Sequence, residues 1–337
     1  MKVTYLFGAG ASKEALPIVN EIPSRIKEII ELLESEEYKL SDEAIYEDLN
    51  LELSKRQVQV TLINDLKWLL EKANNHASID TFAKKLYLRD KPEDLKRLKI
   101  SFSIFLIIEQ TRNKADKRYD SFFASILTDH CYNFPTNIRI VSWNYDYQFE
   151  KVYNEYSNQD SFKRNQYFLN VISKNSFAKP ENNKFAIIKL NGSAAYFKES
   201  DEEIYFSNQF HLNISIEFIE EILKTYAQVN FSQTKYYLGL SFAWERNMLD
   251  ERDIVTFAKN ETNDTDILIV IGYSFPYFNR EIDREIIGNM INLKRVYFQD
   301  PYADNIKERF LSIRPNFKSE NLISRFDVGQ FLLPNEL

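Results

Sequence analysis

The chain opens on an apolar, strand-like run that breaks directly into a glycine turn, and this feature constrains the fold more than any other. The run is Val3–Phe7, and the turn that follows it reads Gly8, Ala9, Gly10, Ala11 and Ser12. The chain has only seven glycines among its 337 residues, so two of them within three positions mark a specific turn. The pattern predicts a buried parallel strand, a tight turn and then a helix N-terminus, an arrangement that binds phosphates in dinucleotide-binding folds. An ordinary glycine-containing turn between a strand and a helix has the same pattern.

Composition indicates a folded globular protein without a metal centre. Hydrophobic residues make up 44% of the chain, and 43 basic against 50 acidic residues give a net charge of −7. This charge offers no general support for binding to nucleic acid or to a membrane. The single cysteine, Cys131, excludes a disulfide framework and a CxxC zinc ribbon within one chain. The three histidines lie far apart in the sequence, which argues against a His/Cys metal site.

The sequence carries no signal that would direct the chain out of the cytoplasm. It opens on the strand-like run without the charged and apolar regions of a signal peptide. Apolar runs such as Ile104–Ile108 and Ile267–Ile271 are much shorter than a membrane span. We therefore expect a cytoplasmic protein that does not associate with a membrane.

The residues after the first strand divide into a segment with a helical pattern and a segment in which strand-like and helical patterns alternate. Residues 25–118 are rich in charge, with apolar residues at helical spacing, and predict a helical subdomain inserted after the first strand. Residues 1–24 and 119–337 are predicted to form an α/β domain. The segment Pro17–Pro23, with a proline at each end, is predicted to be extended or turned. The stretch Glu155–Asn183, rich in Asn, Ser and Lys, is predicted to be a surface excursion.

Short apolar runs separated by helical stretches predict a mostly parallel sheet. The candidate strands are Ile138–Ser142, Phe185–Leu190, Tyr236–Leu240, Asp266–Ile271 and Arg295–Phe298. Helical stretches between them include Ile216–Tyr226 and Glu281–Ile291. This alternation predicts a Rossmann-like α/β fold with helices on both faces of the sheet, which Val3–Phe7 would join.

Polar residues follow four of these strands at the point where each strand ends. The sets are Asn144 with Asp146, Asn191 with Gly192, Gly272 with Ser274 and Asn279, and Gln299 with Asp300. Carboxyl ends of parallel strands meet at one edge of a sheet, where open α/β folds bind their ligands. These side chains are therefore predicted to line one site that holds the ribose hydroxyls and phosphates of a ligand. Each set taken alone is also typical of ordinary turn chemistry.

The order and spacing of these motifs resemble a sirtuin-like NAD-binding domain, of the divergent kind found in bacterial anti-phage defence proteins. The matching segments are Gly8–Ser12 for the GAGxS turn, Ser142–Asp146 for the T-x-N-x-D motif, Lys189–Ser193 for the L-H-G-S motif and Gly272–Ser274 for the G-x-S turn. Pro17 and Pro23 fall where sirtuins carry their GIP segment. The resemblance spans most of the chain, although residues 25–118 match only loosely.

The resemblance implies that NAD+ is the substrate or ligand. It implies a diphosphate cradle at Gly8–Ser12, a nicotinamide ribose near Asn144 and Asp146, and the far phosphate and ribose near Gly272–Ser274. The zinc module of sirtuin deacylases needs four cysteines, so the chain is similar to the zinc-free branch, whose known members hydrolyse NAD+. The catalytic histidine of the family corresponds to Asn191, whose amide cannot take up a proton as an imidazole does.

The leading hypothesis is an NAD+ hydrolase that releases nicotinamide and ADP-ribose, with no zinc or other cofactor. Asn144 and Asn191 would orient the ribose and a water, and Asp146 would stabilise the oxocarbenium-like transition state or activate the water. His211 would replace the missing base if its segment folded back over the site. The family resemblance implies a toxic effector of anti-phage defence, controlled by homo-oligomerisation or by a hetero-complex with a partner such as a helicase-like ATPase.

Two other hypotheses remain open. The first is a catalytically lapsed subunit that binds NAD+ or ADP-ribose and has a structural or regulatory role in a defence complex, which the Asn191 substitution favours. The second is a DNA-associated nuclease subunit. The net charge of −7 and the lack of a carboxylate cluster with metal-site spacing give this second hypothesis little support.

Overall fold

The structure is a computed structural model, and it describes residues 1–45, 53–157, 162–174, 184–198, 203–204, 214–231, 236–246 and 253–335. His211, considered above as a replacement base, lies outside the described residues. The chain forms two compact units. The first unit is Met1–Glu14, Ala115–Ser193 and Ser241–Leu337, and the second is Ala15–Lys114 and Ala194–Leu240.

The described residues form ten strands and eleven α-helices. The strands are β1 Val3–Phe7, β2 Ile138–Ser142, β3 Val171–Ser173, β4 Ala186–Lys189, β5 Gly192–Lys198, β6 Glu203–Ile204, β7 Tyr236–Leu240, β8 Ile267–Ile271, β9 Arg295–Gln299 and β10 Leu322–Arg325. The helices are α1 Ile22–Glu34, α2 Lys55–Asn75, α3 Ile79–Leu88, α4 Pro92–Arg112, α5 Lys117–Ile126, α6 Gln148–Ser157, α7 Phe162–Phe168, α8 Ile216–Phe231, α9 Ile254–Glu261, α10 Arg280–Gly288 and α11 Ala303–Ile313.

A seven-stranded parallel sheet organises the first unit. Its order is β10-β9-β8-β1-β2-β4-β3, and every neighbouring pair is parallel. In β1, which lies at the centre, Val3 is level with Ile138 on one side and with Ile267 on the other. All five residues of β1 are buried, which explains the apolar run at the start of the chain. The predicted Rossmann-like α/β fold is confirmed.

Successive side chains of each strand point to opposite faces, so the sheet has two apolar surfaces, both covered by helices. On one face, Leu6 and Val270 pack in a core with residues of α9, α10 and α11. On the other face, Tyr5 and Phe7 pack with residues of α5 and α6. The ring of Phe7 lies 5.1 Å from the ring of Phe149, in an aromatic cluster that fills this second face.

The second unit is mainly helical. It contains α1 to α4 and α8, with α2 packed against α1, α4 and α8. A small sheet of order β6-β5-β7 accompanies these helices. Ser78 caps α3, since its hydroxyl accepts a hydrogen bond from the Thr81 amide at 3.1 Å.

Three local predictions need correction. Pro23 is not in an extended or turned segment but in the first turn of α1, where its lack of an N–H removes no helical hydrogen bond. Tyr236–Leu240 is a strand, but it pairs in the small sheet rather than in the parallel sheet. The predicted surface excursion contains α7 and the edge strand β3, while residues 158–161 and 175–183 of it lie outside the described residues.

Candidate functional site

The motifs predicted from the sequence lie at the carboxyl ends of five adjacent strands. Gly8 follows β1, Asn144 follows β2, Asn191 follows β4, Gly272 follows β8 and Asp300 follows β9. These strands are neighbours in the order β9-β8-β1-β2-β4. The chain leaves β1 for β2 on one side and later returns to β8 on the other side, so β1 and β8 form the switch point of the sheet. Open α/β sheets bind ligands in the crevice outside this point.

The glycine turn after β1 packs directly against the turn after β8. The amide of Gly8 donates to the carbonyl of Ile271, and the amide of Gly10 donates to the carbonyl of Gly272, each at 3.0 Å. A Cβ placed on Gly8 would lie 2.6 Å from the Gly272 oxygen, and one on Gly10 would lie 2.8 Å from the Gly272 Cα. The close approach of these two backbones therefore explains why both positions are glycine, and contact with a ligand is not needed to explain it.

The turn itself is a single short helical turn. Ala9–Ser12 forms a 3-10 helix, and α1 begins only at Ile22. The predicted α-helix N-terminus immediately after the glycines is therefore wrong. The reason is Pro17, which follows the turn closely and lacks the amide needed to continue a helix.

Asn144, Ser12 and Asp146 form one buried hydrogen-bonded cluster. The Nδ2 of Asn144 donates to the Gly8 carbonyl at 3.0 Å and to the Ser12 Oγ at 3.3 Å. The Ser12 hydroxyl donates to the Oδ2 of Asp146 at 2.7 Å. All three side chains are buried. The structure thus brings together two motifs that lie more than 130 residues apart in the sequence.

Burial dominates the electrostatics of Asp146. It raises the pKa of this carboxyl, although the Ser12 hydroxyl, the Lys189 ammonium and the Gln148 amide each stabilise the ionised form. The ammonium of Lys189 donates to the carbonyl of Asp146 at 2.8 Å and forms an ion pair with Glu150. Sequence reasoning missed this pair. The signal was a lysine in an otherwise apolar strand, since a fully buried ammonium needs a carboxylate partner.

Asn191 is also buried, and its amide holds three parts of the chain together. Its Nδ2 donates to the Trp143 carbonyl at 3.1 Å and to the Tyr145 hydroxyl at 3.2 Å. Its Oδ1 accepts from the Ala243 amide at 2.9 Å. An asparagine amide has two donors and two acceptor positions. Both donors are engaged within the protein, and among the described residues only the Ala243 amide donates to the Oδ1, which leaves one acceptor position for a ligand or a water.

The predicted residues after β8 do not converge on one point. Ser274 is exposed, and its carbonyl accepts from Arg309 at 2.8 Å. Asn279 is buried and donates to the Tyr273 hydroxyl at 3.1 Å, which in turn donates to Asp283 at 3.0 Å. Two residues of the turn after β8 have a positive φ. Gly272 has a φ of 60°, and Phe275 has a φ of 51°. Backbone strain of this kind is concentrated at functional sites.

Gln299 and Asp300 at the end of β9 differ in what they contact. The Gln299 amide donates to the carbonyls of Asp327 and Gln330, and its oxygen accepts from the Leu332 amide at 2.9 Å. Gln299 therefore anchors the segment after β10 to the sheet. Asp300 is half-buried and accepts from the Tyr302 amide at 2.8 Å. Burial raises the pKa of Asp300, against the effects of that amide and of the Lys13 ammonium.

Asp116 and Arg118 form a buried ion pair beneath the glycine turn that sequence reasoning did not single out. The Nη2 of Arg118 donates to the carbonyls of Gly10 at 3.2 Å and Ala11 at 3.0 Å. The sequence indicates this ion pair only weakly, because an acidic and a basic residue two positions apart are common at the start of a helix. Only the long-range contact to the turn distinguishes this pair from an ordinary helix cap.

No group of three or more His, Cys, Asp or Glu side chains among the described residues could hold a metal ion. No helix in the described part of the chain has the length and apolar character needed to cross a membrane.

Comparison with known proteins adds no family assignment. No protein-family model matches the chain, and no curated protein is similar to it at a significant level.

Proposed function

We propose that the first unit binds NAD+ at the carboxyl edge of its sheet and hydrolyses it to nicotinamide and ADP-ribose. The single observation that carries the proposal is the Asn144–Ser12–Asp146 cluster, which lies at the switch point between β1 and β8. Dinucleotides bind at such a point in open α/β sheets. The resemblance of the four motifs to a sirtuin-like site adds the nature of the dinucleotide and of the reaction.

In the proposed reaction, the bond between the nicotinamide nitrogen and the ribose carbon breaks, and its electron pair leaves with nicotinamide. Water adds to the ribose carbon and gives up a proton. The ribose carries positive charge in the transition state, so a nearby carboxylate stabilises it, and a low-dielectric surrounding strengthens this effect. Asp146 supplies that carboxylate, while Asn144 and the remaining acceptor position of Asn191 orient the ribose and the water.

The proposal does not require an imidazole. General-base assistance is worth about 10²–10⁴-fold in rate, so a hydrolase that lacks it is slow rather than inactive. A carboxyl group whose pKa is raised by burial is also a stronger base than an ordinary carboxylate, which suits Asp146 to accept the proton of water. A toxic effector that consumes NAD+ needs control, and we propose that oligomerisation or a partner encoded alongside it provides this control.

The test is nicotinamide release by the purified protein, alone and together with its genomic neighbour. We expect Asn144→Ala to abolish release. The matched control is Asn289→Ala, because Asn289 likewise donates its Nδ2 to a carbonyl, that of Lys259 at 3.1 Å, but follows α10 rather than a strand end. Unchanged turnover by Asn144→Ala would rule out the assigned site.

A second candidate function is a catalytically lapsed NAD+- or ADP-ribose-binding subunit. Both N–H donors of the Asn191 amide form hydrogen bonds within the protein, and its oxygen accepts one. This favours the second candidate, because the residue at the family's histidine position then has a structural role. Saturable NAD+ binding without nicotinamide release, both alone and with the neighbour, would support this function over hydrolysis.

A further inference from the structure

We propose that Arg118, paired with Asp116, is a positioning residue that fixes the Gly8–Ser12 turn in its ligand-binding form. The inference rests on the proposed function, because it assigns a role in the same NAD+ site. It concerns a part of that site for which the sequence motifs give no indication.

The ion pair forms hydrogen bonds with the turn and with a residue just after it. The side chains of Arg118 and Asp116 are 7% and 0% exposed, and three hydrogen bonds join them, from Nε to Oδ1 at 2.9 Å and to Oδ2 at 3.2 Å, and from Nη2 to Oδ2 at 2.5 Å. Arg118 donates to the carbonyls of Gly10 and Ala11, while Asp116 accepts from the Glu14 amide at 3.3 Å. Three residues of the segment 10–14 are thus held by a pair that lies about a hundred positions later in the chain.

The turn needs such support because its own structure is weak. A 3-10 helix of four residues makes few internal hydrogen bonds with poor geometry. Gly8 provides no side-chain cap, and Gly8 and Gly10 have more backbone freedom to lose than other residues. Without external contacts, ordering this turn would be a cost that the ligand has to offset on binding.

The guanidinium has the shape for this role. Its planar set of five donors reaches a carboxylate and two backbone carbonyls at once, which an ammonium group on a flexible chain does not do in the same geometry. Burying the pair is costly, because both charges are removed from water. A hydrophobic pair would fill the space but would leave the Gly10 and Ala11 carbonyls without these donors.

The Arg118–Asp116 ion pair also affects the proposed catalytic groups, through Ser12. The peptide that carries the Ala11 carbonyl is the one that leads into Ser12, and the Ser12 hydroxyl donates to Asp146 and lies within reach of Asn144. A displaced turn would move this hydroxyl away from both side chains. Arg118 therefore determines the position of the turn and, through it, the hydrogen bonding of Asp146.

The experiment compares Arg118→Lys with Arg246→Lys in the full-length protein. Arg246 is the matched control because it also forms a bidentate pair, with Asp253, and none of its hydrogen bonds with described residues involves the turn. The measurements are amide hydrogen exchange at residues 10–14 without ligand, the thermal midpoint and the Kd of NAD+. We expect Arg118→Lys to speed exchange at residues 10–14 and to weaken NAD+ binding by about tenfold or more, the effect of losing a charged hydrogen bond.

Arg246→Lys should lower the thermal midpoint without either of these effects. Unchanged exchange at residues 10–14 in Arg118→Lys would overturn the inference, because a merely structural pair would lower only the midpoint. If Arg118→Lys does not fold, Asp116→Asn takes its place, since it keeps an acceptor for the Glu14 amide and removes the charge that orients Arg118. A wild-type protein that does not bind NAD+ would refute the proposed function, whereas the exchange comparison would still decide whether Arg118 holds the turn.

Discussion

At the scale of single residues, Asp283 is a carboxyl group whose surroundings strongly oppose its charge. It lies on α10, is 2% exposed and accepts hydrogen bonds from the Tyr273 hydroxyl at 3.0 and 3.2 Å. Burial raises its pKa well above the usual range, and the hydrogen bonding with Tyr273 offsets this effect only in part. The ionised form is therefore disfavoured in the folded protein.

This shift predicts that the free energy of unfolding falls as the pH rises. A carboxyl whose folded pKa lies above its unfolded value of about 3.9 stabilises the fold below that value, and the benefit is lost as the pH rises through the folded pKa. We expect the urea midpoint of the wild type to fall as the pH rises from about 5 through the neutral range, and Asp283→Asn to reduce this slope. The same slope in both proteins would contradict the prediction.

Asp266 is the matched control for this experiment. The Lys294 ammonium and the Lys2 amide lower the pKa of its carboxyl. Its stabilisation is therefore present at every pH above the unfolded value and is lost only in acid. Asp266→Asn should lower the urea midpoint by the same amount at both ends of the range.

At the scale of elements, the meeting of the turns after β1 and β8 leaves no room for side chains. Gly272 combines a φ of 60° with a Cβ position only 2.3 Å from the Ala11 nitrogen. Gly272→Ala must therefore move the backbone of the neighbouring turn, and we expect it to cost about 3 kcal/mol or more of the free energy of unfolding, or to prevent folding. Denaturant unfolding measures this cost.

Gly288 provides the comparison within the same unit. It is the last residue of α10, and an added Cβ would meet no atom within 4 Å. Gly288→Ala should therefore stabilise the protein by up to about 1 kcal/mol, because alanine has the higher helix propensity and the less flexible unfolded chain. Equal effects of the two substitutions would show that backbone approach does not set the cost at Gly272.

Helices and strands were predictable where burial requires an uninterrupted run of apolar residues in the sequence. β1, β2 and β8 are short apolar runs because parallel strands are covered on both faces, and their limits were close to those observed. β3 was missed because three residues at the edge of the sheet, within a polar stretch, leave no such mark. β7 was found as a strand, but its pairing in the small sheet depends on partners that its own sequence does not identify.

The site was predictable as a set of strand ends but not as a set of contacts. The motifs place Asn144, Asp146 and Asn191 at one edge of the sheet, and the fold follows from the same pattern. The sequence does not show that Gln299 contacts the chain after β10, or that Arg118 reaches Gly10. Both contacts join residues far apart in the chain, and a side chain's partner at that distance is decided by the packed fold.

At the scale of the whole molecule, the segment after β10 is part of the core of the first unit. Phe331 is 5% exposed, and its ring lies 5.1 Å from that of Phe7 and 5.0 Å from that of Tyr119. We expect Phe331→Ala to cost about 3–5 kcal/mol of the free energy of unfolding. Phe326, in the same segment, is 57% exposed, and Phe326→Ala should change this free energy by no more than about 0.5 kcal/mol. Denaturant unfolding of the two variants tests whether the segment is integral to the unit.

The central position of β1 has a consequence for how the protein is made. Its residues are synthesised long before those of one of its two partners, β8, which begins only at Ile267. At ordinary rates of synthesis, about 5–20 residues per second, the first strand waits on the order of tens of seconds for that partner. The switch point between them cannot exist on a nascent chain that stops short of β8. A ribosome that stalls midway therefore releases a fragment in which this edge of the sheet is not assembled.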